Sequence, residues 1–280
     1  MGVFGQEKAG ISGSVEWDTL RINAAVSLNL AQSGLKLPAG RTRGETLLNS
    51  SYPSLIEPYL LELQVDSSTT IADLVNSGEL SLSHFETISH RANSSSPALS
   101  PDMKNITKSV TIPLSNISAA LLSRNRASPV LRTLTPISTA KYTGIIIIAL
   151  DELPIHGMKS SAMPVPCLFP KIWDSDMNLI YDRNMLEPQF EGTMVRYSAA
   201  QNIFQKNPSG LSEELQKVVG DRPLRIFAQG VFGIKPTDLI IERSDALTII
   251  SSEENRKLLS QGKVVFILDD SVLRYEFGGE

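Results

Sequence analysis

The sequence predicts an α+β fold, with a small N-terminal sheet carrying helices on one face and a β-rich C-terminal domain of short strands after it. Three observations carry this. Leu20, Ile22, Ala24, Val26, Leu28 and Leu30 alternate with Arg21, Asn23, Ser27 and Asn29, and Ile106, Val110, Ile112 and Leu114 repeat the pattern further on; period two marks a strand with one buried face. Between them Leu48, Tyr52, Leu55, Ile56, Tyr59, Leu60 and Leu63 step by three and four, the helical period. Beyond residue 140 the apolar residues fall into many short runs, opened by the most apolar of all, residues 145–150.

In chain order, residues 1–14 are small and polar and are expected to be disordered. The first strand ends at Ser33-Gly34 and Pro38. The helix over 41–63 contains Pro53 and Pro58. An internal proline costs roughly 3 kcal/mol, which predicts a break or kink near one of them. Residues 65–71 read as a turn, and Leu82, Phe85 and Ile88 as a short helix. Residues 93–97 read as a loop and 105–114 as the second strand, followed by a helix to Leu122 capped by Ser115 or Asn116. The basic, proline-bearing stretch 123–136 is the expected boundary, giving an N-terminal domain over 15–134 and a C-terminal domain over 135–280. In the second domain, strands are expected at 142–150, 168–173, 178–182, 194–197, 224–229, 239–242 and 264–268. Two helices are expected there: 212–219, stopped by Gly220, and 251–261, with Ser251 and Glu254 in capping-box spacing.

Composition bounds the function. The formal net charge is −4 and no basic cluster exceeds Arg124-Asn125-Arg126, which weighs against non-specific nucleic-acid binding. No apolar run approaches the roughly 18 residues of a membrane span, so no transmembrane segment is expected. A single cysteine, Cys167, precludes an internal disulfide. The first residues lack a charged stretch followed by an apolar core, so no signal peptide is expected in the chain as it begins here.

Few residue constellations point to chemistry. Asp174, Asp176, Asn178 and Asp182 have the spacing of a calcium loop, but Leu179 stands where a glycine is required and Met185 where a bidentate glutamate is. A β-hairpin turning at 174–177 is the expected structure. Asp151, Glu152 and His156 follow the apolar run and would be the acid–base set of a hydrolase, though a polar loop is the favoured reading. His84 and His90, six apart, project from different helix faces and do not share a metal. Cys167 lies in an apolar segment and reads as a small buried hydrophobe. Ser33-x-x-Lys36 and Ser260-x-x-Lys263 match a serine–lysine pattern without its companion motifs. Trp173 and Tyr181, on the expected hairpin, are the aromatic candidates for contact with a glycan, peptide or lipid. Asp151 and His156 are the polar ones. No cofactor or metal is expected.

Several stretches together carry a family likeness: 37–41 leading into the Leu-rich helix, then 65–69, 142–147, 166–174, 179–181, 237–241 and 244–247, and finally 262–268. The chain resembles spirochaete periplasmic proteins related to flagellar assembly protein T, flagellar protein P and the lipoprotein-twenty group of the bacterial envelope. The shared residues mark strands and turns, so no functional residue is carried over. The resemblance implies a non-enzymatic protein, periplasmic or outer-membrane-associated, whose partners are other envelope or flagellar proteins.

Overall fold

The computed structural model describes residues 9–81, 92–122, 127–133 and 138–279. The N-terminal sheet is antiparallel. Its strands are β1 (Ala9–Glu16), β2 (Arg21–Asn29), β3 (Asn93–Ser94), β4 (Ala98–Leu99) and β5 (Asn105–Pro113). The sixth is the last strand of the chain, β16 (Arg274–Gly278), which pairs with β1. The order along the main path is β16-β1-β2-β5-β3, with β4 also against β5. Ile22, Ala24, Val26 and Leu28 of β2 are buried, as their alternation requires.

The long helix α1 (Ala39–Leu61) covers this sheet through Leu48, Tyr52, Ile56 and Leu60, each four residues after the last. The expected break at proline is absent; α1 runs unbroken through Pro53 and Pro58. Burial of that one face outweighs the lost hydrogen bonds. The exposed face also turns inward for partners, with the Ser50 and Ser51 hydroxyls donating to the Leu47 carbonyl at 3.0 and 2.8 Å.

Other expectations for this half also change. Residues 9–14 are paired strand, because β1 has partners on both sides; residues 1–8 lie outside the described set. A short helix, α2 (Ile71–Asn76), follows the turn and is closed by a capping box between Thr70 and Asp73. The helix expected around Leu82, Phe85 and Ile88 falls outside the described residues. α3 (Leu114–Leu121) follows Pro113 directly, without a side-chain cap from Ser115 or Asn116.

The second half has its own two sheets. One is wholly parallel, in the order β11 (Arg196–Ala199), β15 (Val264–Leu268), β6 (Ile145–Ala149), β12 (Leu224–Phe227). Ile146, Ile148, Val265 and Ile267 face a small cluster closed by Leu211 and by Leu215 and Val219 of α4 (Glu213–Val219). Ile145, Ile147, Val264 and Phe266 face the main core. Burial on both faces explains why β6 reads as a continuous isoleucine run rather than an alternation. The other sheet has the order β10 (Leu179–Tyr181), β9 (Ile172–Asp174), β14 (Asp238–Ile241), β13 (Gly230–Phe232). β9 and β14 are parallel, and the outer pairs are antiparallel. A two-stranded ribbon, β7 (Leu153–Pro154) and β8 (Ser161–Ala162), lies beside β13.

The expected pair of C-terminal helices becomes four. α5 (Arg243–Ile250) precedes α6 (Glu253–Ser260), and α7 (Asp270–Leu273) leads into β16. The cap of α6 is Ser252, not Ser251, and its hydroxyl accepts from the Asn255 amide at 3.3 Å.

The two halves interlock across the boundary drawn at 134/135. β16 returns to the first sheet, where Phe277 lies opposite Gly13 and stacks on Tyr59 of α1 with ring centroids 4.3 Å apart. A side chain at position 13 would meet the Phe277 ring at 2.6 Å, so the glycine makes room for it. In the other direction the loop after α1 enters the second half: the amides of Leu168 and Phe169 donate to the Gln64 and Val65 carbonyls at 3.0 and 2.8 Å. Trp17 meets Tyr197 edge-on at 5.7 Å, and Tyr197 meets Phe266 likewise at 5.9 Å. The main core therefore runs continuously through both halves. Removing the ring in F277A is expected to cost about 3–5 kcal/mol and to lower the urea midpoint of the whole chain in one transition. A separate early transition confined to the N-terminal sheet would show that β16 does not couple the halves.

Candidate functional site

The expected hairpin forms. Asp174 closes it: its Oδ1 accepts from the amides of Asp176 and Asn178 at 3.0 and 2.8 Å, while the Asn178 side chain donates to Oδ2 at 2.8 Å. Met177 takes a positive φ of 61° inside that turn. The acidic residues thus serve the turn, and among the described residues no group of three potential ligands is placed to hold a metal.

Trp173, one strand position before Asp174, is half-buried. Its indole Nε1 donates to Oδ2 of Asp238 at 3.2 Å. Asp238 is fully buried at the start of β14. Three further donors reach it: the Lys171 amide at 3.1 Å, the Ser67 hydroxyl at 3.2 Å and the Thr237 hydroxyl at 3.2 Å. Burial pushes the carboxyl above its ordinary value, opposed by the Lys171 amide, the Trp173 indole, the Lys171 charge and the Ser67 hydroxyl.

The anchored indole begins a row of rings. Phe232 of β13 lies edge-on to Trp173 at 5.7 Å, and His156 lies edge-on to Phe232 at 6.0 Å, with interplanar angles of 67° and 63°. His156 is held beside β13 because its amide donates to the Val231 carbonyl at 2.9 Å. The imidazole side of the row is exposed and Phe232 is half-buried. Ile234, two residues beyond Phe232, is 82% exposed, and Met158, two beyond His156, is 62% exposed. The sheet therefore brings Trp173 and His156 together from segments that are 17 residues apart, through a phenylalanine that no local pattern singles out.

The other two candidates do not join them. Tyr181 is fully buried, and its hydroxyl donates to the Met194 carbonyl at 3.1 Å; it lies on β10, at the far edge of the sheet from β13, and offers no surface. Asp151 and Glu152 are exposed. Among the described residues no hydrogen bond or ion pair links them to His156. Cys167 is buried as expected, and burial pushes its thiol up, away from nucleophilic use at neutral pH. Its backbone is gripped by Tyr197, whose hydroxyl donates to the Cys167 carbonyl at 2.8 Å and accepts from its amide at 3.1 Å. His84 and His90 lie outside the described residues.

Two family models match the chain. Residues 8–120 match the family described as Treponema pallidum Tp0624, N-terminal domain. Residues 144–270 match the family described as Treponema pallidum Tp0624, second domain. Both models describe domains of one Treponema pallidum protein, so the chain is similar to a spirochaete family in both parts. The likeness is to Tp0624, and nothing matched supports the closer resemblance to flagellar assembly protein T, flagellar protein P or the lipoprotein-twenty group. No curated protein matches the sequence. In the Tp0624-like second domain the aromatic row and Asp238 both lie within the matched residues, whereas the Ser67 loop that completes the carboxylate's shell comes from the Tp0624-like N-terminal domain. A sequence signal for Asp238 exists: a lone acid opening the apolar strand 238–241.

The raised Asp238 has a signed consequence. The folded state holds this proton more tightly than the unfolded one, so the group's contribution to stability is greatest in acid and is lost as pH rises from the ordinary value of 3.8 through the raised one. Urea unfolding of the wild-type chain and D238N across pH 4–8 is expected to show the stability difference moving in favour of the variant as pH rises. A constant difference would mean that Asp238 does not titrate in that window.

Proposed function

We propose that this chain is a non-enzymatic interaction protein of the cell envelope, and that it holds a protein partner on the His156–Phe232–Trp173 row. The observation that carries the reading is the row itself, a half-buried aromatic strip on a sheet edge with Ile234 and Met158 projecting beside it. Aromatic and methionine side chains with apolar neighbours are what protein interfaces concentrate at their centres. The Asp238 carboxylate fixes the indole before any partner arrives, which lowers the ordering cost of binding.

The ring geometry favours a peptide chain over a flat polysaccharide. Consecutive sugar rings stack on aromatic faces that lie in one plane, whereas these rings are inclined by 67° and 63°. Inclined rings form notches, and notches accept branched aliphatic or methionine side chains. The envelope location draws on the sequence resemblance to periplasmic proteins alone. Association with flagellar assembly or the motor periphery is the narrower form of the same reading.

Site-specific photo-crosslinking in spirochaete cells tests both parts. A crosslinker at position 234 is expected to give a discrete adduct with a protein in the envelope fraction, and one at exposed Ser50 of α1 is not. The F232A change should reduce the adduct at least tenfold, the loss typical of an interface anchor worth roughly 2 kcal/mol. Equal labelling at positions 234 and 50, or adducts confined to the cytoplasmic fraction, would overturn the proposal. Retention of the purified chain on an insoluble polysaccharide, abolished by F232A, would replace the partner with a glycan.

A further inference from the structure

A separate cleft of about 670 Å³ lies away from the aromatic row, between residues 127–132 and the outer face of α6. Its size is that of a site for a drug-sized ligand or a few peptide residues. Pro129, Val130 and Met185 give it apolar lining, with Arg132 on one wall and Arg256 on the other. The wall formed by 127–132 is held by the Ser128 amide, which donates to the Asn184 carbonyl at 2.6 Å.

The charges in the cleft are not equally available. Glu253 is paired with Lys257 at 3.1 Å, one helical turn away. Glu187 accepts from the Ser260 hydroxyl at 3.2 Å and from the Gln189 amide group at 2.9 Å. Arg256 gives one nitrogen to the Ile250 carbonyl at 2.6 Å, which orients the guanidinium and leaves the planar fork with other donors. Arg132 is exposed and forms no ion pair with a described residue. With Glu253 and Lys257 paired, the cleft sets the two guanidiniums of Arg132 and Arg256 against one carboxylate, Glu187, and so keeps a net positive charge on the groups best shaped to take a carboxylate through two parallel hydrogen bonds.

We propose that this cleft binds a short acidic peptide segment, with a glutamate or aspartate carboxylate between Arg132 and Arg256 and a neighbouring apolar side chain against Met185 and Val130. Apolar lining beside the cations distinguishes this from a plain anion site, since inorganic phosphate has nothing to place there.

The test uses the full chain and a fluorescently labelled octapeptide of alternating Glu and Leu, read by anisotropy at low and physiological salt. Saturable binding is expected, weakened at least tenfold in R132E and in the milder R132Q, and unchanged in K217E on α4. The same peptide with Gln for Glu should bind at least tenfold more weakly. Inorganic phosphate should displace the acidic peptide only at a large excess. Equal binding of the Gln peptide, indifference to both Arg132 changes, or displacement by phosphate at matching concentration would overturn the proposal. None of these outcomes touches the aromatic row, so failure here leaves the partner site standing or falling on its own experiment.

Discussion

Among the described residues Asp238 has no ion-pair partner, and it has no exposed surface, yet four donors from three separate stretches of chain converge on it. A buried carboxylate without such donors would be prohibitively costly. The cost is offset only while Ser67, Lys171, Trp173 and Thr237 are all in place, so the carboxylate acts as a gauge of correct assembly. Ser67 belongs to the turn after α1, and the other three to the second half. The fit is tight enough that a side chain at Gly233 would stand 2.3 Å from the Ser67 Cβ, and Gly233 itself has a φ of +112°. The Lys235 amide, two residues on, donates to the Ser67 carbonyl at 2.9 Å. One buried charge thereby ties the N-terminal half to the second sheet and fixes the indole at the head of the aromatic row.

The same logic of mutual insertion runs through the rest of the fold. The first half sends a turn into the second, and the second returns its final strand to the first. Asn255 secures the path between them: it is buried in α6, its side-chain oxygen accepts from the Tyr142 amide at 3.1 Å, and its nitrogen donates to the Thr139 hydroxyl and the Ala140 carbonyl. Interlocking of this kind makes the relative placement of the halves part of the fold rather than a matter of a flexible linker. It also puts the row and the α6 cleft on one rigid frame, so the two proposed surfaces are presented at a fixed spacing.

Some of this was legible in the residues. Period-two alternation located β2 and β5, four-residue spacing located α1, and the isoleucine run located β6, because each pattern reports how many faces of an element are buried. Turn chemistry located the hairpin at Asp174. What failed to show were elements whose partners lie far along the chain. β1 and β16 are short on apolar residues, and Gly13 hides its strand until Phe277 is opposite it. The prolines of α1 argued for a break because local propensity cannot register the sheet beneath the helix. In the candidate site, Trp173 and His156 were visible as residue types. Phe232 was not, and Asp238 showed only as a lone acid opening an apolar strand, because both acquire meaning only from what lies against them. Tyr181 misled for the same reason: a tyrosine on a hairpin can face either way, and here β10 turns it inward.

The amino-acid sequence by itself determined which segments are helix or strand wherever burial imposes a period, and hence an α+β protein of two sheet-bearing halves. Only the tertiary structure decided that the β6 sheet is parallel, that the chain's end closes its beginning, and that an indole, a phenyl ring and an imidazole form one row around a buried acid. Period is a property of one element meeting one boundary between core and solvent. Pairing, register and convergence depend on distant segments satisfying each other's hydrogen bonds and volumes at once, and no single stretch contains that information.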